Sequence, residues 1–209
     1  IIYMKKINNY LFYYLFILLG FSFFFLFIKH QVGNDSTISE WLINYEGGFT
    51  KRGLVGQFAI EISRFFGSDL RWVIFLFQSF ICTCYFIFLY NLLIKLKHER
   101  VTILSILSPI FILYPIAEIE VLARKEIIVF SLFLIYLLIP RESNFKSFSL
   151  IFFSVLSILI WEPTIFFYPL LFIYEIIDRK VDKFNFELSK IFISFIPSII
   201  IALIIIFDP

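Results

Sequence analysis

Histidine and cysteine are almost missing from this chain, with two of each in 209 residues. Cys82 and Cys84 are two positions apart inside one apolar run. Side chains two apart on a helix do not face each other, so no disulfide is expected between them. His30 and His98 stand alone. The sequence therefore offers no metal-ligand cluster and no disulfide framework. Charge is also scarce, at 16% of residues, where a soluble domain carries about 25%. The net charge is +2 and there is no basic block, so the phosphate attraction that underlies nucleic-acid binding is lacking.

What fills the chain instead is apolar. Hydrophobic residues make up 61% and aromatics 22%, and the mean hydropathy is +0.94. That is too little polar surface to cover a water-soluble globule and enough apolar sequence for several membrane spans. The expected class is all-α: a polytopic helical membrane protein whose partner is the lipid bilayer. About seven transmembrane helices are expected, at 10–28, 72–94, 101–116, 121–139, 146–161, 164–177 and 191–207. The first, Tyr10–Ile28, is uncharged. At about 1.5 Å per residue it just crosses a hydrocarbon core of roughly 30 Å. Pro115 is expected to end or bend the third. The chain reads as one membrane domain over 1–209, with an external insertion at 29–71. It is expected to be a fragment of a longer protein, because Ile1 precedes Met4 and Asp208–Pro209 follows an apolar run directly.

Placing the N-terminus in the cytoplasm puts eleven of the 18 cations on that side, among them Lys95, Lys97, Arg141, Lys146, Arg179 and Lys180. Positive-inside bias therefore favours that orientation, in what is expected to be a bacterial inner membrane.

The insertion carries its own pattern. Thr37-Ile38-Ser39-Glu40 fits a capping box, and Ile38, Trp41, Leu42 and Tyr45 fall on one helical face that Gly47-Gly48 ends. After Lys51-Arg52-Gly53, a second stripe runs through Leu54, Phe58, Ile62 and Phe65/Phe66, with Gln57, Glu61 and Arg64 opposite. Two short amphipathic helices lying in the membrane interface are expected. The turn between them holds Glu46, Lys51 and Arg52 at headgroup level, where the two cations suit a lipid phosphate.

Two further external turns add charge: Glu118 to Glu126, and Trp161-Glu162-Pro163. The apolar runs beside them are short, so a fourth helix starting near Val121 would carry Arg124, Lys125 and Glu126 below the interface. Glu120 and Arg124 are spaced to pair along that helix, whereas Glu162 needs a partner from Lys51, Arg52, Arg124 or Lys125. A polar cavity opening outward is expected, with carboxylates suited to deprotonate a hydroxyl and cations suited to a phosphate. The substrate-binding candidates are Lys51, Arg52, Glu120, Arg124, Lys125 and Glu162. No metal site is read, although Glu162 could orient an acceptor or a divalent cation.

This layout resembles the GT-C glycosyltransferases, membrane enzymes that use polyprenyl-phosphate-linked sugars and carry a long first external loop with short interfacial helices. Tyr45-Glu46-Gly47-Gly48-Phe49-Thr50-Lys51-Arg52-Gly53-Leu54 also resembles an aromatic–Gly–Phe–basic–basic–Gly–Leu motif of multi-span proteins from bacterial surface-polysaccharide loci. The resemblance implies transfer of a sugar from a polyprenyl-phosphate-linked donor to an extracytoplasmic glycan or lipid acceptor. It also implies an acidic catalytic base in the first loop, with Asp35 first and Glu46 second. The chain departs from the acidic pair of those loops, since Asp35, Glu40 and Glu46 are separated singles. Two alternatives stand beside it: a polysaccharide (O-antigen-type) polymerase or ligase, and a non-enzymatic transporter, flippase or assembly subunit of polysaccharide export.

Overall fold

A computed structural model describes residues 2–32, 36–96, 121–140, 143, 145–178 and 186–207. Every regular element among them is helical: α1 (Ile2–Val32), α2 (Ser36–Trp41), α3 (Gly53–Phe66), α4 (Leu70–Leu93), α5 (Glu126–Leu138), α6 (Phe145–Ile160), a 3-10 segment (Glu162–Phe167), α7 (Tyr168–Asp178) and α8 (Phe186–Phe207). The expected span 101–116 lies outside the described residues, as do Asp35, His98, Glu118 and Glu120.

By length and composition, three helices can cross a bilayer: α1 over Asn8–Val32, α4, and α8 over Ser189–Phe207. Helices α5 and α6 are apolar but shorter, at 13 and 16 residues. They rise roughly 20 and 24 Å, less than a core of about 30 Å. The exposed face of α1 bears Phe12, Phe16, Ile17, Phe21 and Phe24, which suits lipid and not water. Its other face buries Leu11 and Leu15 against Cys82, Tyr85, Phe86, Leu89 and Leu93 of α4 and Ile127 of α5. A second core joins Tyr136, Leu150, Ile158 and Tyr168 to Ile191, Phe195, Ala202 and Ile205 of α8.

Two helix boundaries differ from expectation. The fourth helix begins at Glu126 and not near Val121. Residues 121–123 form a turn, with Ala123 left-handed at φ 52°, so Arg124 and Lys125 precede the helix. The expected sixth span does not start as an α-helix at 164: residues up to Phe167 form a 3-10 segment, and α7 begins at Tyr168.

The first loop, expected as two interfacial helices, is docked on the bundle. Trp41, Val55, Ala59, Val73, Ile74, Val129 and Ile160 form one buried cluster. Helix α3 buries Gly53, Val55, Gly56, Ala59 and Ile60, while Phe58, Phe65 and Phe66 point outward. Its small-residue face thus meets the protein, and the aromatic end of its stripe does not. Helix α2 stops at Trp41, short of Tyr45. Asn44 causes part of this: its side chain donates to the Leu42 carbonyl at 2.9 Å and accepts from Glu46 N at 2.9 Å. Such local bonds compete with helix continuation.

Candidate functional site

The site forms where α4 and α5 begin and α6 ends, with the first loop packed on top. Its glycines explain how the backbone comes so close. A Cβ on Gly56 would lie 2.0 Å from the Ile43 carbonyl oxygen, and one on Gly53 would lie 2.3 Å from the Tyr45 ring. Only glycine lets these two turns of chain touch. Tyr45 in turn stacks on Phe49, with ring centroids 5.5 Å apart.

Two residues here with side chains have left-handed backbones, Arg52 (φ 64°) and Ala123 (φ 52°). Each carbonyl is held by a distant side chain. Lys125 Nζ donates to the Arg52 carbonyl at 2.6 Å. Trp41 Nε1 donates to the Ala123 carbonyl at 3.0 Å, and Gln78 Nε2 reaches the same oxygen at 3.4 Å. Trp41 and Ala123 are fully buried and Lys125 is 1% exposed.

The charged groups then assemble from four segments. Arg52 forks onto Glu162, with Nε to Oε2 at 2.7 Å and Nη2 to Oε1 at 3.0 Å. Arg124 forks onto Glu40, with Nε to Oε2 at 3.1 Å and Nη2 to Oε1 at 2.9 Å. Glu40 bridges the two arginines, because Arg52 Nη1 also reaches its Oε1 at 3.4 Å. Arg124 Nη2 lies 3.6 Å from Glu126 Oε1, and Glu126 Oε2 is buried without a hydrogen-bond partner. Paired, fork-shaped contacts of this kind are the strong ones among ionic hydrogen bonds. The side chains of Arg52 and Glu162 are 27% and 24% exposed, so this pair is within reach of a ligand.

Electrostatics at the Arg52–Glu162 pair follow from burial and contact. Burial pushes the Glu162 carboxyl up, but the Arg52 hydrogen bond and the charges of Arg52 and Lys51 outweigh it and hold it below the usual carboxylate range. The Glu162 hydrogen bond does the converse for Arg52, overcoming burial to raise its guanidinium further.

The sequence-derived candidates divide clearly. Arg52, Arg124, Lys125 and Glu162 come together, and Arg52 is the partner that Glu162 required. Lys51 is exposed beside them. Glu46 is not their counter-charge: it is exposed and pairs with Arg64 of α3. Asp35 and Glu120 fall outside the described residues, so a Glu120–Arg124 pair has no description here. Glu40 was missed as a site residue because the capping-box pattern explained it locally. In the structure its carboxylate turns to Arg124, 84 residues along the chain. Among the described residues no three His, Cys, Asp or Glu stand together in a way that could hold a metal.

A second polar cluster lies at the opposite ends of α5, α6 and α7. Fully buried Glu175 accepts a hydrogen bond from the Tyr136 hydroxyl. Lys146, counted above among the cations of one membrane side, is 3% exposed; it donates to Asp178 at 2.6 Å and lies over the Tyr136 and Tyr174 rings. No protein-family model, curated protein or solved structure matches this chain.

Proposed function

We propose that this end of the bundle binds a lipid-linked phosphate, and that the chain is a membrane glycosyltransferase. In this reading it moves a sugar from a polyprenyl-phosphate-linked donor to a glycan or lipid acceptor on the extracytoplasmic side, with the N-terminus in the cytoplasm of a bacterial inner membrane. One observation carries the reading: two arginines, brought from residues 52 and 124, meet at the carboxylate of Glu40, each with its own fork on a carboxylate, and the Lys125 ammonium lies buried behind them. Planar guanidinium forks match phosphate oxygens, and Lys adds a point charge. In transfer, Arg52 and Arg124 hold the phosphate and stabilise it as it leaves, with Lys51 at the exposed edge. Held geometry and preset charge supply most of the rate. A carboxylate takes the acceptor proton: Asp35 and Glu46 are the first-loop candidates, and Glu162 is the candidate within the cluster.

A second reading has its own support. Three cations face three carboxylates at the cluster, and such a balanced network also serves as a plain lock between loop and bundle. That favours a non-enzymatic transporter, flippase or assembly subunit.

Reconstituted vesicles with a labelled polyprenyl-phosphate sugar and an acceptor test both readings. Arg52→Gln and Arg124→Gln are each expected to slow transfer by roughly 100-fold. Unchanged transfer in both Asp35→Asn and Glu46→Gln removes those two residues as bases. Loss on cation replacement with no loss on any carboxylate replacement indicates the polymerase or ligase chemistry. Substrate movement across the vesicle wall without any transfer indicates the transporter.

A further inference from the structure

Both arginine forks are already filled, and what fills them has the shape of the ligand proposed for them. A carboxylate presents two oxygens to a guanidinium edge, and so does a phosphate ester. We propose that Glu162 occupies a phosphate subsite, and that a lipid-linked phosphate and the Glu162 carboxylate exchange at the Arg52 fork. The binding step stands independently of glycosyl transfer; its catalytic consequence rests on that reading.

The surroundings of the pair fit an exchange. Arg52 is fixed from behind by the Lys125 bond to its carbonyl and by the tight Gly53 and Gly56 contacts. The backbone that carries the fork therefore keeps its place when Glu162 leaves, and Arg52 Nη1 still reaches Glu40. Apart from the Arg52 fork, the Glu162 carboxylate has no side-chain partner among the described residues; it opens the 3-10 helix, next to an extended Trp161. The pair is open to one side, with Lys51 exposed next to Arg52 as a first cation for an incoming anion.

Exchange changes Glu162 chemically. Away from Arg52 it loses the hydrogen bond and charge that hold its carboxyl low, and becomes a stronger base beside the bound phosphate. The acceptor O–H bond then breaks and its proton goes to Glu162. The freed oxygen pair bonds the anomeric carbon. The anomeric C–O bond to phosphate breaks, leaving its electron pair on the polyprenyl phosphate held by Arg52. Donor phosphate thus unmasks the base, and hydroxyl activation waits for the donor.

Binding of three probes to the full chain in neutral-lipid nanodiscs tests the exchange: a polyprenyl phosphate, phosphatidic acid, and inorganic phosphate. Glu162→Gln keeps the shape but removes the competing charge, and is expected to tighten binding by roughly tenfold. Glu162→Asp, with a shorter reach, is expected to fall between, and Arg52→Gln to bind none. Glu61→Gln, on the exposed face of α3, is the control. Tightening with the polyprenyl phosphate alone assigns the subsite to the donor; equal tightening with phosphatidic acid assigns it to membrane headgroups, and with inorganic phosphate to the free anion. Unchanged or weaker binding in Glu162→Gln and Glu162→Asp overturns the exchange, even where wild-type transfer is intact. If wild type transfers no sugar while Glu162→Gln still tightens, the exchange stands and the transferase reading falls.

Discussion

A left-handed backbone at a residue with a Cβ costs about 1–3 kcal/mol and persists only where its neighbours enforce it. Arg52 and Ala123 both meet that condition through carbonyls held by Lys125 and Trp41. The glycines do the opposite work, removing atoms where backbones meet. Gly56→Ala puts a Cβ against the Ile43 carbonyl and is expected to destabilise by about 1–3 kcal/mol, as overpacking does. Gly47→Ala, with nothing within 4 Å of its Cβ, is expected to leave the melting temperature unchanged. Thermal unfolding of both variants in one detergent is the check. The Arg52–Glu162 pair makes a separate prediction. Glu162 ionises at lower pH folded than unfolded, so its stabilisation is present above the unfolded value and fades as pH falls through the folded one. The gap in melting temperature between wild type and Glu162→Gln is therefore expected to narrow on acidification below about pH 4, near the ordinary carboxylate value. A constant gap down to pH 3 contradicts it.

At the scale of elements, α3 shows what periodicity can and cannot say. Its stripe was legible as amphipathic, and the helix lies where the pattern put it. The direction of the stripe was not legible, because Gly53, Gly56 and Ala59 carry almost no hydropathy yet form the docking face. Close approach of backbones depends on absent atoms, and a hydrophobic pattern does not register those. Cysteines placed at Phe65 and Phe66, in a background without Cys82 and Cys84, are expected to react readily with a maleimide. A cysteine at Ala59 is expected to stay protected until the protein unfolds. Equal reaction at all three means that α3 is not docked. The candidate site was legible in the same partial way. Arg52 stood out because it lies in a glycine-rich turn, and Arg124, Lys125 and Glu162 because the apolar runs beside them are too short to keep them clear of the membrane. Glu40 did not, since a local explanation already accounted for it and no sequence spacing reports a partner 84 positions away.

For the whole molecule, composition gave the class, and the structure adds an asymmetry. Helices α1, α4 and α8 are long enough to span, whereas α5 and α6 are short, with buried Lys125 just before the one and buried Lys146 in the first turn of the other. Reporter fusions at positions 36 and 98 test the orientation; an external signal at 98 overturns a cytoplasmic N-terminus. Lys146→Met leaves part-exposed Asp178 without its partner and is expected to destabilise that end of the bundle by about 1–3 kcal/mol, the cost of leaving a hydrogen-bonding group unpaired. The loss should show in unfolding, with little change in phosphate binding at the opposite end.

The Arg52–Glu162 fork also sets a clock on biogenesis. Its halves are separated by 110 positions, so at about 5–20 residues per second the ribosome delivers the acid roughly 5–20 s after the base. Lys125, which pins the Arg52 carbonyl, also arrives late. For that interval the first loop has its arginine but not its fastening, and the guanidinium is without its carboxylate partner. Stalled chains ending before residue 162 should therefore show a loop that proteases cut, and chains that run past it should resist them.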